Sequence, residues 1–244
     1  TGRDLRLDDH SALALALRQA DRVAVCFVFD RDILDPLPRM DRRVAFIRTA
    51  LLEVESGLRA KGGSLWVCHS RPEQAIPALA KHLGASVVVA AHDYEPAAIS
   101  VFTPYKRAWL RTLEYDVGAL AEQRVDLTGR LLEPGTASCA IAETAQTPGA
   151  ASGLDWSDSG IPSLAAMGFE APEDTDPILA AGSSRAQQLL EDFVTRMGKY
   201  RDARDYPAIK GPSYLSVHMR FGTLSVRQAA RLAHARALED KQAR

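Results

Sequence analysis

Between residues 22 and 91 three short apolar runs alternate with two helix-patterned segments, and few folds accept that order. Arg22–Phe29 (RVAVCFVF) is a continuous β-branched and aromatic run, the pattern of a strand covered on both faces. Asp41–Lys61 places Val44, Ile47, Leu51, Leu52, Val54 and Leu58 at helical spacing, and Gly62-Gly63 ends it. Ser64–Cys68 (SLWVC) predicts the next strand. Pro72–Leu83 predicts a helix opened by proline and closed by Gly84, and Ser86–Ala91 (SVVVAA) a third strand. A further short helix, Ser11–Ala20, precedes them, entered through Asp8, Asp9 and His10. Strands joined through helices by short connections pair in parallel through right-handed crossovers, so the expected fold is a doubly wound α/β sheet.

The remainder reads differently. Phe102–Leu113 (FTPYKRAWLRTL) has the spacing of a short amphipathic helix. From about Gly129 to Gly182 the composition shifts to Gly, Pro, Ser, Thr, Ala and acids, which offers little to bury. Helical spacing resumes over Ser183–Tyr200 and again over Ser225–Leu238, where Ser225 stands at the cap position. The expected division of the 244 residues is an α/β domain over 1–114, an interdomain linker over 115–182, and the start of an all-α domain over 183–244. Two helices and a turn cannot balance their own ordering entropy, so the last part must pack on the first or continue into more chain.

Composition removes several classes of function. Thirty basic against thirty-one acidic residues exclude a chain-wide basic field for nucleic acid, though not a local patch. Cys26, Cys68 and Cys139 are too few and too scattered for a disulfide framework or a zinc site, which fits a reducing cytoplasm. No apolar run approaches the ~20 residues that cross a bilayer, so no membrane partner is expected. His218 has no second histidine or carboxylate at metal spacing, and no metal is assigned; His69 and His92 follow strands at the carboxyl edge of the sheet, where α/β folds place ligands, and read as solvated loop histidines. No GxSxG elbow, Walker loop or oriented Cys–His pair is present.

Two regions carry a specific resemblance. Tyr200–Pro207 (YRDARDYP) followed by GPSYLSVHMRFGTLSVR resembles the opening of the helical flavin-binding domain of the photolyase/cryptochrome family. RDLRLDDHSAL (Arg3–Leu13), FVFDRDIL (Phe27–Leu34), HDYEP (His92–Pro96) and FTPYKRAWL (Phe102–Leu110) resemble that family's α/β domain, in the family's order. There are departures. The family carries a strand before the RDLRL phrase, more chain between DYEP and FTPYK, and most of its helical domain beyond the last helix seen here. The sequence therefore reads as part of a longer chain. A sheet lacking its first strand would also leave an apolar edge unpaired, which native proteins avoid.

The resemblance implies a set of site residues. In the family the turn equivalent to Gly211–Ser216 holds FAD phosphates and a tyrosine at the place of Tyr200 touches FAD, so Tyr200, Ser213, Leu215 and Ser216 are the expected cofactor contacts. Pro212 stands where the family has threonine and brings neither N–H nor hydroxyl, which puts one phosphate contact in doubt. Read without the resemblance, the same turn is an ordinary helix cap. Arg204 matches a DNA-backbone arginine; taken alone it is equally an ion-pair partner of Asp202 or Asp205. Arg43, Asp93 and Glu95 match positions that hold an antenna chromophore in some members, or else cap a crossover. Ala97-Ala98 favour a deazaflavin- or flavin-type antenna over folate.

The implied activity is light-driven, FAD-dependent repair of cyclobutane pyrimidine dimers in UV-damaged DNA, by a monomeric protein. A cryptochrome photoreceptor or a (6-4) photolyase is the alternative. The 244 residues by themselves are expected not to repair DNA, because most of the pocket lies elsewhere.

Overall fold

A computed structural model describes residues 4–91, 111, 117–132, 160–172 and 180–242. Helix α1 (Ser11–Gln19) leads into strand β1 (Val25–Asp30), a single helical turn α2 (Arg31–Leu34) and the long helix α3 (Arg42–Arg59). Strand β2 (Leu65–Ser70) and helix α4 (Pro72–His82) follow. The two strands pair in parallel, with Val25 opposite Leu65 and Asp30 opposite Ser70.

The pleat divides the core in two. Odd-numbered side chains (Val25, Phe27, Phe29, Leu65, Val67) join Leu13, Leu17, Val44, Leu51, Val54 and Leu58 of the helices on one face. Even-numbered Val28, Trp66 and Cys68 pack with Ala75 and Leu79 of α4 on the other. That is the period of two expected of a sheet covered on both sides. The ends of α3 have local causes. Asp41 Oδ1 accepts from the Arg43 amide at 2.9 Å to start it, and Gly62, at φ 80°, turns the chain out of it. The next residue, Gly63, lies so close to Leu131 that a Cβ there would come within 2.4 Å of the leucine side chain. The buried Glu55 carboxylate accepts the Leu65 amide at 2.5 Å and meets Arg59 at 2.6 Å, tying helix to strand.

Three sequence expectations change. Residues 86–91 form no strand, and Val87 and Val88 are 41% and 57% exposed. A β-branched run becomes a strand only where a neighbouring strand and a packing face receive it. β1 itself is mostly half-exposed instead of sealed on both faces. The stretch expected to be a linker contributes to the core: Leu120, Leu127, Leu131, Met167 and Phe169 are all buried. Val23 bridges Leu131, donating to the Arg130 carbonyl at 2.8 Å and accepting from Leu132 at 3.0 Å. Arg48 Nε reaches the Pro162 carbonyl at 2.7 Å. Single apolar residues among polar ones have no period to betray them. The helix expected over Phe102–Leu113 lies outside the described residues except for Arg111, which is helical.

The second part contains α5 (Ser183–Arg196), a 3₁₀ turn (Met197–Lys199), the short α6 (Tyr200–Ala203), α7 (Ser216–Phe221) and α8 (Val226–Gln242). Ala186, Leu189, Leu190, Leu215 and Leu224 form its small core. Among the described residues several contacts fasten it to the first part. Phe46 of α3 lies 5.6 Å from the His218 ring and 5.0 Å from Phe221. Glu53 of α3 accepts the Ser184 amide at 2.8 Å and its hydroxyl at 2.7 Å, occupying the start of α5. Asp9, just before α1, binds Arg227 and Ser225 at the start of α8. The acid expected to begin α1 is thus committed elsewhere, and His10 Nδ1 caps that helix, accepting from Leu13 at 3.2 Å. Among the described residues no helix is long and apolar enough to cross a membrane.

Candidate functional site

The turn between α6 and α7 is built from both sides. Beneath it, Gly211 rests against the end of α6, where an added Cβ would fall 2.4 Å from the Ala203 carbonyl oxygen. Only glycine allows that approach. Leu215 is 3% exposed and anchors the turn in the helical core. Between these anchors Tyr214 holds φ at 59°, in the left-handed region that side chains other than glycine disfavour.

Arg196, the last residue of α5, explains how that backbone is held. Its Nη1 donates to three successive carbonyls, Lys210 at 2.8 Å, Gly211 at 2.9 Å and Pro212 at 2.9 Å. Nη2 donates to Asp192 Oδ2 at 3.0 Å. The guanidinium carbon also lies 5.2 Å from the Phe193 ring centre and 5.9 Å from that of Tyr214. Lys210 donates to the other Asp192 oxygen at 3.0 Å; these two cations, Lys210 first, hold that carboxyl below the usual carboxylate range. The carbonyls before Ser213 are thereby turned to one cation. Among the described residues the amides of Ser213, Tyr214 and Ser216 donate to no protein acceptor, and Ser213 Oγ only weakly accepts the Leu215 amide at 3.4 Å. Free amides beside two serine hydroxyls suit an anion such as a phosphate. Pro212 contributes a carbonyl to Arg196 and no donor to that face.

Tyr200, 39% exposed, begins α6 and stands edge-on to Phe193 at 5.6 Å. Arg204 lies over the Tyr200 ring at 5.7 Å and pairs loosely with Asp205 at 3.5 Å, both charges largely in water. Tyr200, Arg204, Ser213, Leu215 and Ser216, the residues that the resemblance implies, lie in the same helix–turn–helix. Leu215 acts there through packing, its side chain being turned inward. Sequence reading misses Arg196, Gly211 and Tyr214. The i,i+4 spacing of Asp192 and Arg196 is visible, but Arg196's main partners are backbone carbonyls that no side-chain pattern announces.

The expected antenna residues do not come together among the described ones. Asp93 and Glu95 lie outside them. Arg43 is exposed and spends its guanidinium on Asp41 of its own turn, at 2.6–3.1 Å. His218 is fully buried, with Nδ1 2.8 Å from the Thr223 hydroxyl and Nε2 without a partner; burial, then Arg185, holds its pKa below the ordinary histidine value. Among the described residues no group of acids, cysteines and histidines is placed to hold a metal.

The DNA photolyase family profile matches residues 1–100. A deoxyribodipyrimidine photo-lyase of Halobacterium salinarum is 29% identical over 284 residues, covering 95% of this chain and 53% of that protein. A cryptochrome DASH of Natronomonas pharaonis is 25% identical, covering 87% and 50%. Among solved structures, an archaeal photolyase from Sulfolobus tokodaii with two FAD molecules shares the fold at a TM-score of 0.57 and 21% identity, over 94% of this chain and 52% of that one. The chain spans about half the length of these curated relatives.

Proposed function

We propose that this chain, which belongs to the photolyase/cryptochrome family, forms the α/β domain and the first part of the FAD-binding domain of a light-driven DNA-repair lyase acting on cyclobutane pyrimidine dimers. The observation that carries the proposal is the turn at Lys210–Ser216. It presents unpaired amides and hydroxyls on one side and has its carbonyls collected by Arg196 on the other. These residues fit a pyrophosphate. Ser213 and Ser216 would hold it, with the Tyr214 amide, and Tyr200 would lie beside it; Pro212 leaves one donor fewer than threonine would. The bound reduced flavin would supply the light-excited electron that opens the dimer, since in such proteins the cofactor carries the hard chemistry.

The chain's own residues bind and orient. Gly211 and Leu215 fix the height of the turn, and Arg196 fixes its direction. Arg204, charged and exposed one helical turn from Tyr200, suits a DNA phosphate, because its planar fork grips two oxygens at once. A lesion already weakly stacked costs less to extrude from the duplex than an intact pair. An antenna on the α/β domain, of flavin or deazaflavin type, belongs to the same proposal.

Purification in the dark tests the flavin reading. The protein is expected to be yellow, or to take up FAD on dialysis; a colourless sample that takes up none sinks it. Blue-light reversal of dimers in a gel assay, on the whole protein, tests the lyase reading. A second reading, a cryptochrome photoreceptor, is favoured by the similarity to a cryptochrome DASH. It predicts flavin photoreduction without reversal of dimers in duplex DNA.

A further inference from the structure

We infer that Arg196 is a positioning residue for dinucleotide binding, and that it works by holding Tyr214 in a left-handed conformation this residue would otherwise leave. The inference rests on the flavin reading above. Two independent features meet at this turn. One is the strained backbone at Tyr214, φ 59°. The other is a single guanidinium bonded to the carbonyls of Lys210, Gly211 and Pro212 and lying 5.9 Å from the Tyr214 ring centre.

A residue with a Cβ is disfavoured in the left-handed region, so a free Gly-Pro-Ser-Tyr turn would relax. The two hydrogens of one charged Nη1, shared among three consecutive carbonyls, offset that cost. They also fix which side of the turn shows carbonyls and which shows amides. Asp192 completes the arrangement by orienting the guanidinium at 3.0 Å. Lysine cannot replace it, because one ammonium lacks the planar fork that serves the carbonyls and the carboxylate together. Arg196 therefore acts on the phosphate through the turn, without touching it.

The test separates support in general from this mechanism in particular. FAD is titrated into the full chain and followed by flavin fluorescence, and the conformation of the turn is read from NMR backbone chemical shifts of Gly211, Ser213, Leu215 and Ser216. Arg196→Ala is expected to weaken FAD binding about tenfold or more, the loss of one to two charge-assisted bonds, and to move those shifts. Arg196→Lys should fall between. The decisive variant is Arg196→Ala with Tyr214→Gly: glycine enters the left-handed region freely, so the parent's shifts and FAD affinity should both largely return. If Arg196→Ala binds FAD as tightly as the parent, or the glycine restores neither quantity, the inference is overturned while the flavin reading stands. If the parent takes up no FAD, both are overturned.

Discussion

Arg227 grips Asp9 across the length of the chain, its Nη2 2.9 Å from Oδ1 at a sequence separation of 218. The same carboxylate accepts the Gln123 amide at 2.8 Å and the Ser225 hydroxyl, and lies 3.6 Å from Arg231. Arg227 also donates to the Asp9 carbonyl at 2.6 Å and to Ser11 Oγ at 2.6 Å. One buried acid thus joins the start of α1, the segment after residue 120 and the start of α8.

Asp9→Ala should lower stability by about 2–3 kcal/mol, short of a fully buried pair because the Arg227 side chain keeps 26% of its exposure. Burial pushes the Asp9 carboxyl up, but the Gln123 amide, Ser225 and Arg227 together hold it below the usual value. Its folded pKa lies under its unfolded one. The contribution is therefore complete above the unfolded value of about 3.9 and is lost as pH falls through the folded one. Denaturant midpoints between pH 5 and pH 2, in roughly that window, should fall less in the variant than in the parent. Parallel curves would count against it.

His218 works in the opposite pH range. Burial keeps its ring neutral, so the unfolded chain takes up the proton first, and stability should drop as pH is lowered through about 6.5. His10 and His69 are also depressed by burial, so the measurable quantity is a difference. His218→Leu should remove part of the slope between pH 7.5 and 5.5, a span of about one unit either side of the histidine value. An unchanged slope would show that the ring is hydrated.

Gly211→Ala should disturb the turn without touching any charged group. The new methyl would sit 2.4 Å from the Ala203 oxygen and 2.5 Å from its carbon, both backbone atoms. A cost of about 1–3 kcal/mol is expected, as for other overpacked sites, together with weaker FAD uptake. Thermal melts and flavin titration on the same sample check both.

Leu127→Ala tests where the first domain ends. Leu127 has no exposed surface and packs in the cluster with Leu58 and Val67. Truncation should cost about 2–4 kcal/mol, as at any core leucine. A loss under about 0.5 kcal/mol, the scale of a surface change, would return the segment to linker status.

The order of the first two strands and their helices, the stop at Gly62, the proline start of α4 and the helices beginning near Ser183 and Ser225 were legible because each rests on neighbours within about four residues. The resemblance pointed to Tyr200, Arg204, Ser213, Leu215 and Ser216, and these lie in one helix–turn–helix because a turn between two short helices keeps residues near in sequence near in space. The third strand at residues 86–91 misled for one reason: an apolar run records a wish to be buried and not whether a partner strand is there.

Local order alone settled the periodic elements, the tight turns and the family phrases. Tertiary structure decided the commitments of single groups: Asp9 to Arg227, Arg196 to three carbonyls, Leu127 and Phe169 to the core. A hydrogen bond or a buried methyl depends on distance in space, and the sequence orders its letters only along the chain.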